Sequence, residues 1–294
     1  MTMNNPFCVI FAATFFMMKR IKLVATDLDG TFLMNNKSIS KPNLEALRTL
    51  GQNNIVRVAA TGRNLIKINE VIPEEVPFDY YVYSSGAGIF DKNRKNHIYV
   101  RNIPEETVNQ LIRYFVNNDL NFHAFRAAPE NHHLWYHRGK EQCPEFERYF
   151  DFHRSFAFPL PDSCKLESDL CQFLVVIPHD EARFSEMKKQ IENLSGEVRV
   201  IRSSSPLGSG YIWLEIFHRS VSKGNGVLHL CRMLDIDPAN TLGIGNDYND
   251  IDLLEFTEHS FLTNNAPETL KQNFTLLPTN EEDAFAHAVA KIVH

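Results

Sequence analysis

A doubly wound α/β core interrupted by an inserted α+β module is the fold this sequence predicts, and three observations predict it. Short β-rich apolar runs alternate with helical stretches up to Gly86, the pattern of a parallel sheet with helices on both faces. From there to about Glu215 the alternation is lost and Phe and His become frequent, which marks a different module. Beyond it the strand–helix order returns and runs to the C-terminus. The expected layout is an N-terminal extension over residues 1–17, core over 18–94, the inserted module over 95–216, and core again over 217–294.

The elements follow in chain order. IKLVAT from Ile21 is a buried strand, and Ser40-Lys41-Pro42 opens a helix through LEALRTL that stops at Gly51. Residues 55–60 (IVRVAA) make a second strand, a helical stretch follows Gly62, and residues 80–83 make a third strand. In the inserted module GIFDKNRKNHIYV reads as a hairpin, 104–117 and 180–194 as helices, and 121–126, 133–137, 173–177 and 211–216 as strands. The phenylalanines at 146, 150, 152, 156 and 158 read as the core of that module. The returning core has helices over 222–234, 251–256, 267–271 and 281–293, with strands at 242–245 and 260–262 between them.

Composition narrows the function. With 44% hydrophobic and 22% charged residues, the 294-residue chain can bury a sizeable core, which excludes disorder, collagen and coiled coil. A net charge of −6 without a Lys/Arg-rich run lacks the footprint of nucleic-acid binding. The five cysteines, Cys8, Cys143, Cys164, Cys171 and Cys231, are odd in number and form no C-x-x-C pair. Reduced thiols in the cytoplasm are expected, rather than a disulfide framework or a zinc knuckle. Residues 6–18 (PFCVIFAATFFMM) are apolar, but Lys19 and Arg20 follow the run instead of preceding it as in a secretory signal. The run is also shorter than the roughly 20 residues that span a bilayer. No membrane partner is expected, and residues 1–17 read as an extension outside the fold, with Met18 as the natural beginning.

Four motifs stand where strands end, the place where open α/β sheets collect their ligands. Asp27-Leu28-Asp29-Gly30-Thr31 follows the first strand, and two carboxylates one residue apart beside a sharp glycine turn suit a hard divalent cation. An ordinary Asx-rich turn uses the same residues. Thr61-Gly62-Arg63 offers a hydroxyl and main-chain N–H groups to an anion, or simply an N-cap. Lys223 opens a helix, where a cation is poorly placed against the dipole unless it serves a site; otherwise it is a solvated surface lysine. Gly245-Asn246-Asp247-Tyr248-Asn249-Asp250 closes the set with two carboxylates and two amides. In the inserted module Arg126, His132, His133, Trp135, Tyr136 and His137 form the densest polar and aromatic group. A ring could stack on Trp135 while Arg126 or His133 reads hydroxyls, although exposed strand residues look the same. Histidine spacing there, without an acidic ligand in view, is poor evidence for a transition-metal site.

The four motifs in this order resemble the haloacid dehalogenase superfamily, in particular its Cof-type, subclass IIB sugar-phosphate phosphatases. The resemblance runs from Met18 to the end and includes Ser85-Gly86-Ala87 and Asn265-Ala266-Pro267. It implies a Rossmann-like core with an inserted α+β cap, Mg²⁺ as cofactor, and a small phosphate ester, plausibly a hexose or pentose phosphate, as substrate. Asp27 looks like the nucleophile that forms an aspartyl-phosphate, and Asp29 like the general acid and base, held protonated part of the time. Thr61, Gly62 and Lys223 would bind the phosphoryl group, and Asp27, Asp29, Asn246 and Asp250 would hold the metal. Relatives carry Asp where this chain has Asn246, so weaker metal affinity is expected unless Asp247 shifts into register. Ser85 stands where many relatives have Asn. A sugar phosphomutase of the same core and cap, or a non-catalytic phosphometabolite-binding protein, are the alternatives.

Overall fold

The computed structural model describes residues 21–205 and 210–293, so the reading of residues 1–17 lies outside the described residues. The strands are β1 (Leu23–Thr26), β2 (Val56–Ala60), β3 (Tyr80–Tyr83), β4 (Gly88–Asp91), β5 (Asn96–Val100), β6 (Phe122–Arg126) and β7 (Leu134–His137). They continue as β8 (Ala157–Pro159), β9 (Leu170–Pro178), β10 (Val198–Ser204), β11 (Tyr211–His218), β12 (Thr241–Gly245), β13 (His259–Thr263) and β14 (Thr275–Leu277). The helices are α1 (Lys41–Gln52), α2 (Leu65–Asn69), α3 (Glu105–Asn117), α4 (Pro144–His153) and α5 (Glu181–Ser195). The remaining four are α6 (Lys223–Met233), α7 (Ile251–Phe256), α8 (Glu268–Lys271) and α9 (Ala284–Ala290).

The core sheet has the order β14-β13-β12-β1-β2-β3-β4-β5, parallel through β3 and antiparallel in the β4–β5 hairpin. Alternation along β1 explains both faces: Val24 turns toward the layer holding Leu47 of α1 and Phe285 of α9, while Leu23 and Ala25 turn toward Val227 of α6 and Leu253 of α7. The cap sheet has the order β10-β11-β9-β6-β7-β8. Its outer face, with Phe122, Phe173 and Leu214, packs on Leu111 of α3 and Ile191 of α5. Its inner face carries Phe125, Leu174 and Trp213, and Phe146 of α4 covers only its far end.

The sheet pairing corrects the expected boundaries. The hairpin assigned to the inserted module pairs in the core sheet, so the chain leaves the core after Val100 rather than at 94–95. It returns after His218, the end of β11, rather than at 216–217. The two crossings meet where Arg101 Nη2 lies 2.9 Å from His218 Nε2. A second contact joins the layers: Asp247 accepts from Ser204 N at 2.8 Å and Ser204 Oγ at 2.7 Å, and the Arg202 guanidinium lies 3.9 Å from the Tyr248 ring centroid. Of the five phenylalanines expected in the cap core only Phe146 and Phe150 are buried; Phe152, Phe156 and Phe158 are exposed. The final helix is also shorter than expected, because residues 280–282 form a separate 3₁₀ turn.

Candidate active site

Asp27 and Asp29 stand just beyond the end of β1, and the turn between them and the next strand depends on Gly30. Its φ is +77°, and a Cβ there would lie 2.6 Å from Asn246 Nδ2. Lys223 enters from the start of α6, whose N-cap Ser222 accepts from Asn225 N at 3.1 Å. It is 1% exposed, and its Nζ donates to Asp27 Oδ1 at 2.6 Å and Asp250 Oδ1 at 2.7 Å. The surface-lysine reading is thereby excluded. The two carboxylates raise the Lys223 pKa against the opposing effect of burial, so it keeps its charge. Burial pushes the Asp27 carboxyl up, Lys223 pulls it down, and Asp250 and Asp29 push it up again.

Asp29 is held differently from expectation. Burial disfavours its charge, but Arg63 Nε and Nη2 donate to its two oxygens at 2.5 and 2.8 Å and Lys37 Nζ donates at 2.7 Å, which brings the carboxyl to about 2. The group expected to be protonated part of the time is therefore a clamped carboxylate in this conformation. Arg63 and Lys37, which sequence reasoning assigned no role at Asp29, make that clamp.

The fourth motif divides its labour. Asn246 Oδ1 accepts from Thr31 Oγ1 at 3.0 Å and lies 2.9 Å from the Asp29 main-chain oxygen and 3.3 Å from Asp27 Oδ2. With the amide turned over, its nitrogen would donate to those same oxygens. With oxygen there, its two separations from the Asp29 and Asp27 oxygens are close to the edge of an octahedron of Mg–O bonds, about 3 Å. This donor set fits Mg²⁺ through Asp27, the Asp29 carbonyl and Asn246. Asp250 was expected among the ligands, but Lys223 takes one of its oxygens and the N–H groups of Asn246 and Asp247 take the other at 2.8 and 3.0 Å. These contacts tie it to Lys223 and to the backbone of its own loop. Asp247 turns its carboxylate to Ser204 of the cap and away from the donor set.

Thr61, at the end of β2, is 1% exposed, and its Oγ1 accepts from Arg63 N at 3.2 Å. Next to it a Cβ on Gly62 would lie 3.6 Å from Ser85 Oγ. Ser85 has φ 53°, is fully buried, and its hydroxyl has no hydrogen-bond partner among the described residues.

These groups open on a cavity of about 710 Å³ shared by the core and the cap. The residues favoured for its cap side are elsewhere. Neither Arg126, His133 nor Trp135, nor His132, Tyr136 or His137, lines it. Trp135 pairs with Ala124 and so faces the α3–α5 layer, with the Arg126 guanidinium 5.9 Å from its centroid. His133 packs near Phe156 and Phe158, and Glu130 stands beside it and His132. Phe125, Tyr149, Gln172, Ser203, Trp213 and Glu215 line the cap side instead. One signal was available: Glu215 is a carboxylate inside the otherwise apolar run YIWLEIF.

Comparison with known proteins gives the family. A family model described as haloacid dehalogenase-like hydrolase matches residues 24–289. An HMP-PP phosphatase of Yersinia pseudotuberculosis is 26% identical over 87% of this chain and 88% of its own. Among solved structures, a haloalkanoate-superfamily phosphatase of Bacteroides thetaiotaomicron superposes with TM-score 0.75 at 18% identity, covering 93% of this chain and 96% of its own. A subclass IIB sugar phosphatase does so with TM-score 0.71 at 18% identity, covering 92% and 98%. With nearly the whole described chain matched, the protein belongs to the haloacid dehalogenase-like hydrolases and is an enzyme of their phosphatase branch.

Proposed function

We propose that this enzyme is a cytoplasmic Mg²⁺-dependent phosphatase that releases phosphate from small metabolites, sugar phosphates foremost, through an aspartyl-phosphate on Asp27. The observation that carries the reading is the buried Lys223 bound to Asp27 and Asp250, with Asp27 lining the shared cavity. In the first step Asp27 attacks phosphorus, the bond to the leaving oxygen breaks, and Asp29 gives that oxygen a proton. In the second, water attacks phosphorus while Asp29 takes its proton, and the bond to Asp27 breaks to free phosphate. Mg²⁺, when bound by Asp27, the Asp29 carbonyl and Asn246, supplies charge neutralisation at the phosphoryl oxygens.

The clamp on Asp29 suits the second step as it stands, since a base must be ionised. For the first step an arriving phosphate dianion competes for Arg63 and Lys37, and loss of their contacts raises the Asp29 pKa. The unpartnered Ser85 hydroxyl, beside Gly62 and Thr61, is a ready donor to a phosphoryl oxygen. A cavity roofed by a cap admits small molecules and excludes polymeric phosphoproteins. Phosphate release from a panel of sugar phosphates, with Mg²⁺ and with chelator, tests the reading. Asp27→Asn is expected to lose all turnover while keeping the fold; undiminished release sinks the assignment. An isomeric sugar phosphate with no free phosphate would instead identify a mutase.

A further inference from the structure

The shared cavity is electrically lopsided. The cations that line it lie at the core end and are already engaged, Arg63 and Lys37 by Asp29 and Lys67 by Glu70, while Lys223, outside the lining, is held by Asp27 and Asp250. At the cap end Glu215 faces the cavity, 8% exposed and in no ion pair among the described residues; burial pushes its carboxyl up, Ser203 and Lys223 pull it down, and Asp247, which also lines the cavity, pushes it up again. One of its oxygens accepts from Ser203 Oγ at 2.5 Å, and the other has no hydrogen-bond partner among the described residues. Burial lowers the pKa of His153, which shares that end, so it supplies no compensating charge at neutral pH. Beside Glu215 on β11, Trp213 is fixed in plane: its Nε1 donates to Glu145 Oε1 at 3.0 Å, and its ring meets Tyr149 at 87° with centroids 5.0 Å apart.

A carboxylate oxygen that faces the cavity can accept from a donor brought there, and its charge repels a second anion entering the same low-dielectric space. A fixed aromatic face beside it suits the C–H face of a ring. We infer that Glu215 and Trp213 form a specificity subsite for the leaving group, selecting one whose far end carries hydroxyl or amino donors and no second anion. The inference rests on the phosphatase reading and adds to it the class of substrate. It concerns only the end remote from phosphorus, since an anion adjacent to the phosphoryl group stays within reach of Lys37, Arg63 and Lys67.

Matched pairs test it: glucose 6-phosphate against 6-phosphogluconate, and erythrose 4-phosphate against 4-phosphoerythronate. In each the aldonate carries a carboxylate at C1, and the erythrose pair, open-chain on both sides, separates that charge from the ring closure that also distinguishes the glucose pair. The wild type should favour the sugar of each pair. Glu215→Gln keeps the shape and the contact with Ser203 but removes the charge, and should cut that preference in kcat/KM by about tenfold or more. Glu215→Met, of similar volume, gives a second reading should the amide variant fold poorly, with unfolding midpoints as the control. A preference unchanged by both variants, or a wild type that favours the aldonates, overturns the inference while leaving the phosphatase intact. A wild type that releases phosphate from no small monoester overturns both.

Discussion

His123 shows what one buried group does to a whole protein's pH response. It is fully buried, both ring nitrogens lack partners among the described residues, and the ring stacks on Phe146 at 4.2 Å. Burial pushes its pKa well below the ordinary 6.5, with His153 and Arg138 adding to the effect. Below that ordinary value the unfolded chain binds a proton that the folded chain refuses. Stability therefore falls on acidification through 6.5, by up to about 1.4 kcal/mol per pH unit, until the folded-state pKa is reached. His123→Phe should remove this component, gaining more stability at pH 5 than at pH 8 in urea titrations. Parallel pH profiles for variant and wild type would show that His123 is not the proton-binding site. Lys223 is the opposite case, a buried charge made tolerable by two carboxylates and an amide oxygen at 3.3 Å from Asn249.

At the level of elements, the motif loops depend on backbone that few residues supply. Gly86 has φ +96°, and a Cβ there would lie 2.1 Å from the oxygen of Ser222, the cap of the helix that carries Lys223. Gly86→Ala should therefore cost about 2 kcal/mol or more and lower kcat by displacing Lys223. Thermal unfolding together with phosphate release checks this; an unchanged kcat would mean that α6 moves without consequence. The core half of the site was legible because each motif is a short run directly after a strand, so local sequence places it. The cap half was not. Its inner surface is assembled by register, Glu215 opposite Leu174 and Trp213 opposite Val176, between strands distant in the chain. The dense group at 132–137 drew attention by composition, yet β7 turns Trp135 toward Ala124 and the outer layer. Strand β10, VRVIRSS, escaped notice because its arginines interrupt the apolar pattern, and β8 and β14 are only three residues each. Asp250 and Asp29 were found by motif, but the partners that define what each does, Lys223 and Arg63, come from elsewhere in the chain.

For the molecule as a whole, the cap rests on the loop that carries Asn246. Ser204 and Arg202 of β10 touch Asp247 and Tyr248, so the roof and the Asn246 loop are mechanically joined. Losing the Ser204 hydroxyl contact and the Arg202 stack, each worth about 1 kcal/mol, should favour the open cap. The double variant Ser204→Ala, Arg202→Ala should show faster hydrogen exchange in β10 and a severalfold lower kcat/KM, with the unfolding midpoint of the core unchanged. Unaltered exchange would mean that the cap is held by other contacts. The two crossings, pinned together by Arg101 and His218, decide how such opening proceeds. A body hung on one connector swivels like a ball joint, whereas one hung on two neighbouring connectors swings like a door. A roof opening on such a hinge would retrace a single arc and bring Glu215 back to the same height above Asp27. On the proposed function, precision in choosing a substrate would then rest as much on the placing of two chain crossings as on the side chains that touch it.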